Sequence, residues 1–328
     1  MSDGNAMRSM TVVVFGGSGF IGSHLVAQLA ADGVRVLVPT RRREAAMHLT
    51  SLPGVEVVQS DIGRASPEAL QALLRGADAA INLVGVLHSS RGVPYGEQFR
   101  RAHVELPRRI VAACAGAGVP RYLHMSALGA DRDGPSMYQR SKADGEIAAR
   151  AEPSVAATIF RPSVVFGPGD SFLTMFARMQ RWLPVVPLAG AGAQFQPVFV
   201  GDVAQAFVHA LRDLKTRHQV FALGGPAIYT LAELVRLSGR WSHHERIVIE
   251  LPAVLGRLQA RLFELLPGEP LMSRDNLDSM KCDNVLDPAI QALTAATLGI
   301  KLTALEAVAP QYLSPRERMD DFRARAGR

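Results

Sequence analysis

A tyrosine and a lysine four positions apart are the residues of this chain best suited to proton transfer. Tyr138 and Lys142 stand in the run Tyr-Gln-Arg-Ser-Lys, twelve and sixteen positions after Ser126. Residues four apart share one helix face, so the phenol and the ammonium could reach the same reacting atom. A free Tyr has a pKa of about 10, and a neighbouring cation lowers that pKa by stabilising the phenolate. We therefore expect Tyr138, with its pKa lowered by Lys142, to exchange a proton with a carbonyl or an alcohol.

The pair gains meaning only from the elements that position it, because Tyr-x-x-x-Lys occurs about once by chance in a chain of this length. Val12–Phe15 is a short apolar run, typical of a parallel strand buried on both faces, and helical spacing begins at Phe20. Gly16, Gly19 and Gly22 lie between strand and helix with the spacing G-x-x-G-x-x-G. A strand, a glycine turn and a helix in this order predict a dinucleotide-binding turn that holds a pyrophosphate at the helix start. The residues expected to contact the dinucleotide here are Gly16, Gly17, Ser18, Gly19, Phe20, Ile21 and Gly22.

Two other interpretations of the glycine turn are open to test on the sequence. One is an ordinary tight turn between strand and helix, without a ligand. The other is the triphosphate loop of an NTPase, since Gly17 and Gly22 have the right spacing. That loop requires Lys next, and Ser23 stands there instead, so the sequence excludes it.

The end of the second predicted strand, Val34–Val38, favours one dinucleotide over the other. NAD-binding folds place an acidic residue here to bind the ribose 2′-hydroxyl, whereas this chain has Thr40, Arg41 and Arg42, and no acid before Glu44. A guanidinium binds a 2′-phosphate that a carboxylate would repel. We predict that NADP(H) is preferred over NAD(H); the alternative is that the arginines lie in a solvated loop.

The remaining strands and helices alternate to about residue 150. This alternation predicts an α/β fold with a doubly wound parallel sheet, a Rossmann fold. Asp61 and Ile62 end the third strand, and we expect Asp61 to flank the adenine ring. The expected strands are Val55–Gln59, Ala79–Leu83 and Tyr122–Met125, and the expected helices are Pro67–Arg75, Glu97–Ala117 with a kink at Pro107, and Tyr138–Arg150.

Composition limits the classes of partner. The 328 residues are 48% hydrophobic and carry a net charge of +6, without the dense basic stripe of a nucleic-acid-binding protein. No apolar run is long enough to span a membrane, although peripheral contact with a membrane surface is compatible with the charge. Cys114 and Cys282 are far apart and fit a reducing compartment, so we expect a cytoplasmic protein, at most bound to the inner face of a membrane. We predict no metal site, since His243 and His244 lack ligand partners at the right spacing, and we expect His124 to be packed in the core.

Taken together, the motifs resemble the extended or atypical short-chain dehydrogenases/reductases, the NAD-dependent epimerase/dehydratase type. Within that family, the chain is most similar to the branch containing the NADPH-binding accessory subunit of respiratory complex I. The resemblance covers about Thr11–Leu223 and is supported downstream by 267–280. The motifs that carry it are Gly16–Gly22, Asn82–Gly85, Tyr138 with Lys142, Arg161–Gly169 and Val198–Ala204.

The resemblance implies roles for further residues. Leu83, Val84 and Gly85 would line the dinucleotide, Pro162 and Val164 the nicotinamide side, and Lys142 would also hold the nicotinamide ribose. Extended members carry two or three Ser or Thr after the fifth strand, with the catalytic hydroxyl late in that run. Here the run is Ser126-Ala127-Leu128, so Ser126 is the one candidate for the third catalytic residue.

Two functions therefore stay open. The first is an NADP(H)-dependent oxidoreductase or epimerase-like enzyme that acts on a carbonyl, sugar-nucleotide or quinone compound. The second is a non-catalytic protein that holds NADPH in the assembly of complex I or of quinone-synthesis machinery. The sequence identifies neither the substrate nor the oligomeric state.

The expected organisation is a Rossmann domain, residues 10–165, to which 196–225 return, and a smaller, mostly helical lobe, residues 226–312, with a contribution from 166–195. Residues 1–9 and 313–328 are expected to be flexible ends. In the smaller lobe, Leu255, Leu258, Leu262 and Leu266 share one face of a predicted helix. That face could pack within the lobe, line an apolar substrate mouth or contact a membrane surface.

Overall fold

An eight-stranded parallel sheet forms the centre of the protein in the computed structural model, which describes residues 10–265, 270, 272–287 and 293–315. Every neighbouring pair of strands is parallel, and the order is β14-β11-β6-β5-β4-β1-β2-β3. The order reverses between β1 and β4, which is the switch point where doubly wound sheets bind ligands. The strands are β1 Thr11–Phe15, β2 Arg35–Thr40, β3 Val55–Gln59, β4 Ala79–Asn82, β5 Arg121–Met125, β6 Ala156–Pro162, β11 Val220–Leu223 and β14 Leu293–Thr294.

Helices cover both faces of this sheet, which explains the unbroken apolar run of β1. Val12 and Val14 face the core cluster that contains residues of α1 and α7, whereas Val13 and Phe15 face the cluster that contains residues of α2, α4 and α5. The predicted doubly wound α/β fold is confirmed. The helices are α1 Phe20–Ala31, α2 Pro67–Leu74, α3 Glu97–Phe99, α4 Leu106–Ala117, α5 Met137–Ala149 and α7 Val200–Arg212.

The segment expected as one helix over Glu97–Ala117 is divided by a π-helical turn, Arg100–Glu105. Pro107 lies in the first turn of α4 and has no N–H to bond the carbonyl of His103, four residues earlier. That carbonyl instead packs against Gly145 of α5, where an added Cβ would come within 2.2 Å of it. The wider turn thus brings the His103 side chain to the helix of the predicted reactive pair.

The rest of the described chain packs around two smaller apolar clusters, and three two-stranded sheets support it. Its elements are β7 Val165–Phe166, α6 Phe172–Trp182, β8 Val185–Ala189, β9 Gln194–Phe195, β10 Val198–Phe199, β12 Tyr229–Thr230, α8 Leu231–Trp241, β13 Ile247–Leu251, α9 Ala253–Phe263, α10 Arg274–Ser279 and α11 Leu305–Leu313.

The chain returns to the large sheet near its end. β14 pairs with β11, and Thr303 donates its backbone N–H and its hydroxyl to the Asp202 carboxylate of α7. These residues fall within 226–312, the range expected to form the smaller lobe, yet they pack on the Rossmann sheet. Leu313 of the expected flexible end is buried in α11, while 1–9 and 316–328 lie outside the described residues.

No helix in the described part of the chain is both long and apolar enough to cross a membrane.

Candidate functional site

The glycine turn between β1 and α1 forms an open cradle at the switch point. Gly16 has a φ of +82° and lies against the Leu83–Val84 peptide at the end of β4, where an added Cβ would come within 3.2 Å of the backbone. Gly22 packs on the same turn, since its Cβ would lie 2.2 Å from the Gly16 carbonyl oxygen. At Gly19, by contrast, a Cβ would meet only that oxygen, at 3.3 Å. Apart from this one close contact, Gly19 has no other atom within 4 Å of the Cβ position, which leaves the space that the approach of a ligand requires.

The start of α1 is free to bind an anion. Gly19 is the N-cap residue, and no side chain caps the helix. The first N–H groups of a helix have no intrahelical partner, so those of Phe20 and Ile21 point into the cradle with the positive end of the helix dipole. These residues fit the pyrophosphate of a dinucleotide.

The end of β2 lies beside this turn. The Ser18 hydroxyl is 3.5 Å from that of buried Thr40. Arg41 and Arg42 follow, both exposed, and neither forms an ion pair within the described residues. Two free guanidinium groups thus border the cradle.

The other expected cofactor contacts lie at the carboxyl ends of neighbouring strands. The Asn82 side chain accepts a hydrogen bond from the N–H of Val84, which holds the turn through Leu83, Val84 and Gly85. Gly85 faces Lys142, whose Nζ would lie 3.5 Å from an added Cβ. Asp61, after β3, is exposed, and its carboxylate accepts from the Gly63 N–H; Ile62 beside it is buried.

The Arg161–Gly169 motif joins this cradle to the smaller lobe. The Pro162 carbonyl accepts from the Leu128 N–H at 2.8 Å. The Val164 N–H donates to Asn284 at 3.2 Å. At the far end of the motif, an added Cβ on Gly169 would lie 3.6 Å from the Phe20 ring.

Tyr138 and Lys142 lie together on α5, as their spacing predicts. The ammonium Nζ is 5.8 Å from the centre of the Tyr138 ring and donates to the Met125 carbonyl at 3.1 Å. The Tyr138 hydroxyl has no hydrogen bond to any described residue, and its ring packs edge-on against Phe99 and His103. The phenol is therefore held by its ring while its proton stays free.

The expected lowering of the Tyr138 pKa is wrong for this structure. Burial raises the pKa of Tyr138 to about 12 and lowers the pKa of Lys142 to about 8, because desolvation penalises the charged form of each group. At 5.8 Å, the ammonium does not offset this burial. Tyr138 therefore carries its proton at neutral pH.

Ser126, the third candidate, has its proton engaged elsewhere. Its hydroxyl donates to the Glu146 carboxylate at 2.6 Å. The Arg161 guanidinium donates two further hydrogen bonds, of 2.7 and 2.8 Å, to the same carboxylate. The spacing of Tyr138, Lys142 and Glu146 places all three on one face of α5. Ser126 thus donates its hydrogen bond to a carboxylate that is already paired with Arg161, and its hydroxyl proton is not available for a substrate oxygen.

Two further residues of the site have no role assigned from the sequence, although one of them, Asp275, lies in the run 267–280 that supports the resemblance. His103 accepts from the Val86 N–H through Nε2 and contacts the Ser141 hydroxyl through Nδ1 at 2.8 Å; burial, followed by Lys142, lowers its pKa well below 6.5. The imidazole is therefore neutral and ties the loop after β4 to α5. Asp275 of α10 accepts the backbone N–H groups of Met137 and Tyr138 at 2.7 and 3.1 Å.

His124 is buried in β5, as expected, and burial lowers its pKa to about 3. Within the described residues, no three His, Cys, Asp or Glu side chains are grouped to hold a metal ion.

A cleft of about 820 Å³ opens beside the N-terminus of α5, between the loop after β4 and the smaller lobe. It is lined by His88, Gln98, Met137, Arg140, Arg274 and Asp275, among others. Met137, which directly precedes Tyr138, lines this cleft, so the cleft offers space for a substrate at the start of the helix that carries the reactive pair.

This chain is similar in sequence to one family of known proteins and to several of their members. The model of the NAD dependent epimerase/dehydratase family matches residues 12–224. The chain is 31% identical to mouse "NADH dehydrogenase [ubiquinone] 1 alpha subcomplex subunit 9, mitochondrial", over 92% of this chain and 79% of that protein. It is 35% identical to the ceramide reductase of Caulobacter vibrioides, over 60% of this chain and 59% of that protein.

Among solved structures, the dTDP-glucose 4,6-dehydratase of Streptomyces venezuelae with NAD bound superposes with a TM-score of 0.71. The two chains are 20% identical, with 97% of this chain and 98% of that one covered. At 20% identity, this similarity shows that the two chains share a fold and nothing more.

Proposed function

Because the chain belongs to the NAD-dependent epimerase/dehydratase family, we propose that it binds NADP(H) and reduces a carbonyl compound, with Tyr138 as proton donor. The observation that carries this proposal is the Tyr138 hydroxyl, protonated and without a partner among the described residues, beside Lys142 at the switch point. A phenol that carries its proton at neutral pH can donate it in a reduction but cannot accept one as the base of an oxidation, although a pKa of about 12 makes it a weaker acid than a free Tyr.

The cradle supports the cofactor part of the proposal. The helix start at Gly19–Ile21 would hold the pyrophosphate, Arg41 and Arg42 the 2′-phosphate, and Lys142 the nicotinamide ribose. When bound, NADPH supplies the hydride for the carbonyl carbon. Tyr138 would give its proton to the carbonyl oxygen, so that an alcohol forms, and the phenolate would be reprotonated from solvent.

A lipid carbonyl compound is the substrate class we favour over sugar nucleotides and quinones. The similarity to a ceramide reductase extends over about three fifths of both chains, and that protein's name denotes reduction of a long-chain lipid.

A second candidate is a protein that holds NADPH without turnover, linked to respiratory complex I. Two observations favour it: the similarity to the complex I subunit extends over most of both chains, and the Ser126 proton is held by Glu146. Both candidates bind the cofactor, so binding alone cannot distinguish them.

Turnover distinguishes them. NADPH oxidation is measured with long-chain ketones, nucleotide sugars and quinones, for the native protein, Tyr138→Phe and the control Tyr95→Phe. The Tyr95 hydroxyl donates to Asp144 at 2.9 Å and has no role in the proposed chemistry. We expect turnover of a ketone to fall about 10²–10⁴-fold in Tyr138→Phe, with NADPH affinity unchanged, and to persist in Tyr95→Phe. If Tyr138→Phe is as fast as the native protein, Tyr138 is not the acid; if no compound reacts while NADPH binds, the second candidate is favoured.

A further inference from the structure

Helix α9 packs through its small residues and presents its large apolar ones to solvent. Gly256 and Ala260 are buried, and a Cβ on Gly256 would lie 2.5 Å from that of Ala189 in β8. On the opposite face, Val254, Leu255, Leu258 and Leu262 are 79%, 51%, 54% and 57% exposed. An ordinary surface helix has the reverse arrangement. We refer to these four residues as the apolar stripe; Leu266, expected on the same face, lies outside the described residues.

The outward face of β13 adds to this apolar surface. Ile247 and Ile249 are 70% and 50% exposed, and Ile249 pairs with Pro187 in β8. The Pro187 carbonyl accepts from Gln259 of α9 at 3.4 Å, which places helix and strand side by side. Exposed apolar side chains on both neighbouring elements, more than single scattered ones, indicate an interaction site.

Basic side chains border the stripe. Helical spacing places Arg257 and Arg261 along one edge of it, and both line a cleft of about 540 Å³ that Leu258 of the stripe also lines. This basic cleft is completed by Arg91, Arg274 and Lys281, with Asp278 as its one carboxylate. Arg274 and Arg91 also act on Glu264, but the five cationic side chains exceed the two carboxylates, Asp278 and Glu264, so positive charge is left over for a ligand.

We propose that α9 docks on an anionic lipid bilayer, with the apolar stripe in the acyl–headgroup boundary and the basic cleft on lipid phosphates. An apolar helix face flanked by arginines is what an interfacial helix requires. A second copy of the chain is a poorer occupant, because a two-fold contact through the stripe would bring Arg257 and Arg261 of one copy toward the same residues of the other.

Docking in this way would place the larger cleft at the membrane surface. Arg91, Arg274 and Asp278 line both clefts, so the basic cleft opens into the one beside Met137 and Tyr138. The docking surface does not depend on the proposed reduction, since none of its residues belongs to the reactive pair.

Flotation of the full chain with lipid vesicles tests the proposal. We expect binding to vesicles of phosphatidylcholine with phosphatidylglycerol, little binding to phosphatidylcholine alone, and weaker binding at high salt. Leu258→Glu/Leu262→Glu should lower binding at least tenfold, and Arg257→Gln/Arg261→Gln should lower it about fivefold per arginine removed. The matched control is Ile147→Glu/Leu214→Glu, two residues that are 55% and 61% exposed outside the stripe and should leave binding unchanged.

Circular dichroism and thermal unfolding of each variant establish that loss of binding is not loss of folding. The proposal is overturned if the stripe variant floats as well as the native protein. It is also overturned if the native protein binds neutral vesicles as well as it binds anionic ones. Failure of the native protein to float on anionic vesicles overturns it too. Disulfide-linked dimers of Leu258→Cys, made with the exposed Cys282 replaced by Ser, would then identify a second copy as the occupant.

Discussion

At the scale of single residues, the site keeps three potential proton donors in three different states. Tyr138 keeps its proton at neutral pH and has no acceptor for it among the described residues, Ser126 donates its hydrogen bond to Glu146, and Lys142 stays protonated until the pH rises through about 8. Tyr138 and Lys142 were predictable from their spacing. The Ser126–Glu146–Arg161 network was not, because it joins a strand end, a helix and a second strand that only folding brings together.

Lys142 predicts a pH dependence of cofactor affinity. Its pKa of about 8 means that the amine loses its proton as pH rises through 8, and a neutral amine is a weaker donor to a ribose hydroxyl. We expect NADPH affinity to fall above pH 8. Titration by fluorescence at pH 6.5 to 9.5 measures this, and the dependence should be absent in Lys142→Met, which has no titrating group.

The charge of Arg41 leads us to predict that it determines the preference for NADPH over NADH. A charge-assisted hydrogen bond contributes about 1.5–3 kcal/mol, so Arg41→Ala should weaken NADPH binding about ten- to a hundredfold and leave NADH binding unchanged. Arg43→Ala, two residues further along the same exposed segment, is the control. Calorimetric affinities for both cofactors measure the effect, and equal native affinities for NADPH and NADH would contradict the preference.

The same substitution by Val should have different effects at Gly19, where it should abolish cofactor binding, and at Gly22, where it should lower stability. Gly19 has a φ of −79°, and a Cβ there would meet only the Gly16 oxygen, at 3.3 Å, so Gly19→Val should lower stability much less than Gly22→Val but fill the space of the pyrophosphate and abolish binding of either cofactor. At Gly22 a Cβ would lie 2.2 Å from the Gly16 oxygen, so Gly22→Val should lower the melting temperature itself. Cofactor binding by a folded Gly19→Val protein would argue against the phosphate cradle.

At the scale of elements, the sequence predicts what local patterns determine. The apolar run correctly predicted β1. The third strand lies at Val55–Gln59 and helix α1 begins at Phe20, both as expected. The π-helical turn escaped prediction because six residues are too few to show, in the pattern of apolar residues, that the helix has widened from i→i+4 to i→i+5 bonding. The sequence left open whether the apolar stripe is exposed or packed, since periodicity identifies a helix face but not what covers it.

Helix α5 depends on a carboxylate from a distant part of the chain. Asp275 accepts the N–H groups of Met137 and Tyr138 at the positive end of the helix dipole. Asp275→Ala should destabilise the protein by about 1–3 kcal/mol and lower turnover by loosening Tyr138. Urea unfolding and the ketone assay measure both effects. Asp133→Ala, an exposed residue near the start of the same helix, should change stability by less than about 0.5 kcal/mol.

At the scale of the whole molecule, the end of the described chain holds the sheet and the returning helix together. The two bonds from Thr303 reach buried Asp202, which belongs to the Val198–Ala204 motif. That motif was predictable from the sequence, but its partner lies about 100 residues further on, and no local pattern links the two.

Asp202→Ala should therefore leave two donors of Thr303 unpaired and lower the free energy of unfolding by about 1–3 kcal/mol. Urea unfolding followed by circular dichroism measures this. Asp202→Asn, which retains one acceptor oxygen, should recover part of the loss; a loss as large as that of Asp202→Ala would indicate that the charge, and not the hydrogen bonds, stabilises the contact.

The position of β14 has a consequence for biosynthesis. Its partner β11 ends at Leu223 and β14 begins at Leu293, so about 70 residues are translated between them. At roughly 5–20 residues per second, the ribosome needs about 4–14 s for this stretch. During that interval, β11 is an unpaired strand edge that invites aggregation. We expect nascent chains stalled before residue 293 to recruit chaperones more strongly than completed chains, which pull-down of the two stalled populations would measure.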